Sequence, residues 1–185
     1  MKFNKKWFTL IELLIAITIF FILVVMSYAN YAYYQNIARV KLSLKEISQS
    51  INTAKNMAIS WYDDNSKNQS IWVYFEKWSN QVKYYAFDYT LTWSDINISN
   101  DKTPIKVHNL QSNVNISQIT PNKDNIMIFY SAIEAKPEII TFNNWVRQNL
   151  SDSEIKFDVS FKNSTNFPLK RELKYIKQTN LVDYK

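Results

Sequence analysis

The chain has 185 residues, about 25 of them in one apolar segment, which leaves room for a single modest globular domain. It contains no cysteine, so disulfides and thiolate metal sites are excluded and stability has to come from packing. Its net charge is +6, half of it from Lys2, Lys5 and Lys6 ahead of the apolar segment, and the remainder is too mild to indicate nucleic-acid binding.

Residues 1–7 form a short basic leader. From Phe8 to Met26 the chain is almost wholly apolar, a run that would span roughly 28 Å as a helix and cross a hydrocarbon core. We read residues 8–29 as a transmembrane helix contacting membrane lipid. No lysine follows until Lys41, so the N-terminus is expected on the cytoplasmic side and the rest of the chain outside it. A secretory signal peptide would end in a small-residue cleavage site, whereas here the helical pattern continues. A plain signal anchor gives the same hydropathy.

Residues 30–60 read as an amphipathic continuation of the same helix. Ile37, Val40, Leu44, Ile47, Ile51, Ala54 and Ala58 are spaced alternately three and four apart, a single helical stripe. No proline precedes Pro104, so nothing interrupts one helix from about Phe8 to about Ser60. A stripe this short is better buried on the chain's own C-terminal domain than in a free coiled coil.

Glu12 is the anomaly of the apolar run. A carboxylate in a membrane segment is costly and is retained mainly where a partner offsets the cost; a cationic amine in the same low-dielectric layer is such a partner. The bland alternative is that it snorkels toward the headgroups.

The segment "KKWFTLIELLIAITIF" resembles the class III signal and N-terminal helix of type IV pilins and type II secretion pseudopilins. The match is close over about the first thirty residues. That resemblance implies cleavage by a membrane prepilin peptidase between Trp7 and Phe8, followed by methylation of the Phe8 amino group. Glu12 would then be the fifth residue of the mature chain, meeting the N-terminus of a neighbouring pilin or pseudopilin subunit during assembly. The implied partners are the peptidase, other subunits and an inner-membrane assembly platform. The implied location is the inner (cytoplasmic) membrane and then a pilus or pseudopilus. Trp7 departs from the family, which has glycine before the cut.

Residues 61–185 read as a β-rich extracytoplasmic domain. "SIWVYFEK" and "QVKYYAFDYT" form an expected hairpin, followed by "PIKVHNL", "NVNISQIT", "NIMIFYSAI", "EIITF", "EIKFDVSFK" and a basic strand in "LKRELKYIKQT". In "EIKFDVSFK", Ile155, Phe157, Val159 and Phe161 share one face. Such strands suggest an antiparallel sheet with one face covered by the helix and one wet. The expected fold class is therefore α+β: a long N-terminal helix, transmembrane in its first half and amphipathic in its second, packed on an antiparallel sheet. This is also the pilin fold that the resemblance implies. "INTAKNMAIS" followed by "VYFEK…VKYYAF" resembles more specifically the GspH/FimT-type minor pseudopilins.

No catalytic constellation is present, no cofactor is implied, and a non-enzymatic role is expected. His108 is the only histidine; on "IKVHNL" it falls opposite Ile105 and Val107 and reads as an exposed surface residue. Asp63 and Asp64, or Asp95 and Asp101, could contribute to a calcium loop but lack regular ligand spacing. The basic tail could touch DNA, as in competence minor pilins, yet its interleaved glutamate favours a solvated strand face.

The chain contains no glycine, against about a dozen in an average sequence of this length. Four of its six tryptophans stand where glycine is expected: Trp61 where the long helix should end, Trp78 in a hairpin connector, Trp93 among turn formers, and Trp145 after two asparagines. Trp72, inside "SIWVYF", suits a strand. We read several of these positions, Trp7 included and up to all six, as biologically glycine, written as tryptophan from UGA codons.

Overall fold

The computed structural model describes residues 9–60, 69–88, 103–131, 137–143, 146–151, 153–162 and 169–184. One helix, α1, runs from Leu10 to Ser60. The chain separates into two units between Asn36 and Ile37, so α1 contributes to both.

In the first unit the helix is apolar all round and its side chains lie open. Every large hydrophobic residue from Leu10 to Met26 is exposed, from 46% at Val24 to 82% at Leu10. Thr18 turns its hydroxyl back to the Leu14 carbonyl at 2.8 Å, which hides the one mid-segment hydroxyl from an apolar solvent. The segment is long and apolar enough to cross a membrane.

The second unit is an α+β domain. Its strands are β1 (Gln69–Glu76), β2 (Gln81–Asp88), β3 (Lys106–Asn109), β4 (Val114–Thr120), β5 (Asn125–Tyr130), β6 (Pro137–Asn143), β7 (Val146–Asn149), β8 (Glu154–Phe161), β9 (Lys170–Ile176) and β10 (Leu181–Tyr184). They form not one sheet but two: a six-stranded sheet in the order β3-β2-β1-β5-β6-β7 and a four-stranded sheet in the order β10-β9-β8-β4. All their pairings are antiparallel.

The helical stripe lies where its period demands from Val40 onward, while Ile37 at its start is only half-buried. Val40, Leu44, Ile47, Ile51, Ala54 and Ala58 are all 2% exposed or less. They share one core with Ile71, Val73 and Phe75 of β1, Ile126, Ile128 and Tyr130 of β5, and the inward faces of β4, β8 and β9. Ile155, Phe157 and Val159 are completely buried, as the alternation of β8 requires. The Phe75 and Phe157 rings meet at 4.8 Å and join the two sheets directly.

The expected wet face does not exist on the centre of the larger sheet. Trp72, Tyr85, Phe87, Met127, Phe129 and Ile140 form a second buried cluster on the side opposite the main core. Here β1 and β5 are covered on both faces, which is why "IWV" and "IMIFY" are continuous apolar runs rather than alternating ones. Trp72 stacks obliquely on Phe87 at 4.7 Å and meets Phe129 edge-on at 5.2 Å.

A polar knot sits inside the main core. The Tyr130 and Tyr175 hydroxyls lie 3.2 Å apart, and each donates to the Asn180 side-chain oxygen, at 3.0 and 2.9 Å. Burial pushes the Tyr175 hydroxyl up to about 12 and raises Tyr130 as well. An unfolded chain ionises such phenols near pH 10 and the folded one resists, so their contribution is complete below about pH 10 and is lost as pH rises toward 12.

Ile51→Ala should cost about 2–5 kcal/mol, whereas Leu42→Ala on the 49% exposed face should stay within about 0.5 kcal/mol; urea unfolding of the detergent-solubilised chain compares them. The urea midpoint should fall between pH 10 and 12, and Tyr175→Phe should make that fall shallower.

Candidate assembly site at the start of the helix

The helix begins with a reciprocal cap. Thr9 precedes the first helical residue, and its carbonyl accepts the first intrahelical bond from the Leu13 amide at 3.2 Å. The Glu12 amide donates to the Thr9 hydroxyl at 3.3 Å, while Glu12 Oε2 accepts from the Thr9 amide at 2.9 Å and from its hydroxyl at 2.8 Å. This is the capping box that Thr-x-x-Glu encodes, and it satisfies two backbone donors that a helix start otherwise leaves open. The pattern was legible in "TLIE", yet the anomaly of an acid in an apolar run draws attention to Glu12 alone and not to Thr9. Both Thr9 bonds fall on Oε2; among the described residues Oε1 accepts none.

The far end of the apolar stretch carries an aromatic band that sequence reasoning also passed over. Tyr28, Tyr31 and Tyr34 are 61–73% exposed, and Tyr33 meets Tyr34 edge-on at 5.8 Å. Tyrosines are enriched at membrane–water interfaces, where a ring sits in the headgroup layer and its hydroxyl in water. Leu10 to Tyr28 measures roughly 27 Å along a helix, close to a hydrocarbon thickness.

Trp7 and Phe8, the expected processing pair, lie outside the described residues, as do Asp63, Asp64, Asp95 and Asp101. No group of three or more potential metal-ligating side chains occurs among the described residues.

His108 differs from expectation. Its strand β3 pairs with β2 so that Val82 lies opposite His108 and Tyr84 opposite Lys106. Val82 and Tyr84 face the core, so His108 lies on the core-facing side of this edge strand with its side chain still 38% exposed, while Ile105 and Val107 are 44% and 42% exposed. Its Nε2 stands 3.9 Å from Glu46 Oε2 of α1. Beside them Gln111 donates through its side chain to Glu46 Oε1 and through its backbone to the Ser43 hydroxyl at 3.2 Å. The group anchors the helix to the sheet edge.

Two lysines of the basic tail, with Lys156 of β8, lie in a ladder of ion pairs. On the outer face of the smaller sheet Lys156 pairs with Glu172, Lys170 with Asp158, and Lys174 with Glu154. The Glu154 carboxyl is held below its ordinary value by the Lys174 hydrogen bond, and Lys174 is raised by the same contact. Each ammonium that would meet a phosphate in this ladder already has a carboxylate.

Thr9→Ala should speed hydrogen exchange at the amides of the first helical turn roughly fivefold, with exchange beyond Thr18 unchanged. No known family model matches the chain, and neither a characterised protein nor a solved structure does.

Proposed function

We propose that the chain is a non-enzymatic, membrane-inserted filament subunit of the type IV pilin and pseudopilin kind, in the role of a minor subunit. One observation carries the reading: an entire helical segment, Leu10 to Met26, exposes large apolar side chains on all faces and bears its one acid at the start. Such a surface needs lipid before assembly and other helices after it. The amphipathic second half of α1, buried in the same core as antiparallel sheets, is what the pilin fold would require and supports the same reading.

In this reading Lys2, Lys5 and Lys6 hold the leader in the cytoplasm, and the β-rich domain lies outside the membrane. Prepilin peptidase cuts between residues 7 and 8 and methylates Phe8. The apolar helix then leaves the bilayer, through the inner-membrane assembly platform, for a bundle of like helices. Glu12 receives the cationic amine of a neighbour on Oε1, the oxygen the cap leaves open. The cap keeps the carboxylate oriented before that partner arrives, so less ordering remains to be done on association.

The cysteine-free chain makes the test clean. A single cysteine replacing Ile17 should yield disulfide-linked subunits in sheared filaments. Glu12→Gln should lower incorporation roughly tenfold or more at equal membrane abundance. A chain that keeps its leader and crosslinks to no partner would be a plain membrane anchor, and the filament reading would fail.

A further inference from the structure

The turn between β1 and β2 has a conformation that its written residue does not suit. Trp78 has φ 65°, one of three positive values among the described residues; the other two belong to Asn113 and Asn180. Asparagine tolerates the left-handed region because its short amide bonds locally, whereas an indole gains nothing there and its Cβ crowds the following carbonyl. The Ser79 amide donates to the Glu76 carbonyl at 3.2 Å, closing a four-residue turn in which Lys77 and Trp78 are central. Lys77 is not among the residues with positive φ, and Trp78 is. That is the sign pattern of a type II turn, which calls for glycine at its third position.

The backbone cannot relax to suit the side chain, because both flanks of the turn are tied. The Lys77 amide donates to the Asp124 carbonyl and the Trp78 amide to the Ile116 carbonyl, each at 2.7 Å. The Ile116 amide returns a bond to the Ser79 carbonyl at 3.1 Å, and the Leu110 amide one to Asn80 at 2.8 Å. These bonds seat the turn against the bulge of β4 next to Ile116, so φ at position 78 is set by the sheets. The side chain offers little compensation: Trp78 is 61% exposed, and among the described residues the Lys77 ammonium lies over its ring at 5.7 Å.

We infer that position 78 is glycine in the protein as the native cell makes it, inserted at a UGA codon that the written sequence renders as tryptophan. A chain of this length with no glycine at all supports the same conclusion from composition. The assignment covers every tryptophan that shares the codon. At position 7 it would leave the residue before Phe8 without a side chain, the requirement of the proposed processing step. Trp72, the other tryptophan among the described residues, packs its indole against Phe87 and Phe129. The turn at position 78 calls for glycine whether or not the chain enters a filament.

Tandem mass spectrometry of the chain isolated from its own cells decides the matter on the peptide that follows Lys77 and ends at Lys83. Glycine at its first position is the expected result, and tryptophan there overturns the inference. The N-terminal peptide in the same digest reports separately whether the chain begins at Phe8, so processing and decoding fail independently. As a second measurement, Trp78→Gly in the recombinant chain should raise the folded-to-unfolded ratio roughly 5- to 30-fold. An unchanged or lower ratio would count against the assigned turn.

Discussion

One face of α1 between Val40 and Ala58 has to be dry, and the arrangement of the β-rich domain answers that demand. The stripe passes from branched side chains to Ala54 and Ala58, so the later turns of the helix bring little volume to the core. The sheets supply what the helix lacks: Phe75, Tyr84, Tyr130, Phe157 and Tyr175 all enter the same core. Small residues on one layer facing large ones on another is how interiors reach crystal-like density without voids. A second sheet is needed because one helical stripe is too narrow to cover these rings, and Phe157 and Tyr175 of the smaller sheet close the same core.

Closing a helix and two sheets on one core traps polar atoms, and several of the trapped groups have a specific partner. Asn180 serves twice. Its backbone takes the left-handed conformation that turns β9 into β10, and its side-chain oxygen collects two buried phenols. A glycine would make the turn equally well but leave Tyr130 and Tyr175 only each other, and an unsatisfied buried hydroxyl costs about 1–3 kcal/mol. At the opposite edge Ser43, Glu46 and Gln111 tie the helix to the chain beside β3 by the same logic. In the larger sheet the buried Thr141 sends its hydroxyl to the Asn125 carbonyl at 2.7 Å.

What could be read from the sequence was whatever has a period. The stripe of α1 and the alternation of β8 specify both element and buried face, because 3.6- and 2-residue repeats are local facts. The division into two sheets was not legible, since it rests on pairings such as Asn115 with Ser160, far apart in the chain. The four-residue strands β7 and β10 are too short to show alternation, and β7 follows asparagines that read as a turn. His108 illustrates the limit of alternation: it separates two faces without saying which is inside, and the register against Val82 puts a half-exposed His108 on the core-facing side of the edge. At the candidate site, Glu12 stood out by chemistry and Trp78 by context. Thr9 was equally visible but needed a different question, namely which backbone donors the helix start leaves open.

That question also bears on why the acid at the helix start can serve two purposes without conflict. A helix that begins at the edge of an apolar layer has amide donors that water reaches poorly, so a cap matters more there than on a soluble helix. Thr9 and Glu12 meet the need with one carboxylate oxygen. A glutamine could still accept from the Thr9 amide, because its carbonyl oxygen matches Oε2 in reach, but it could not offset a neighbour's cationic amine. The capping role and the proposed assembly role are therefore separable by chemistry even though one side chain performs both. The first needs only an acceptor; the second needs a charge.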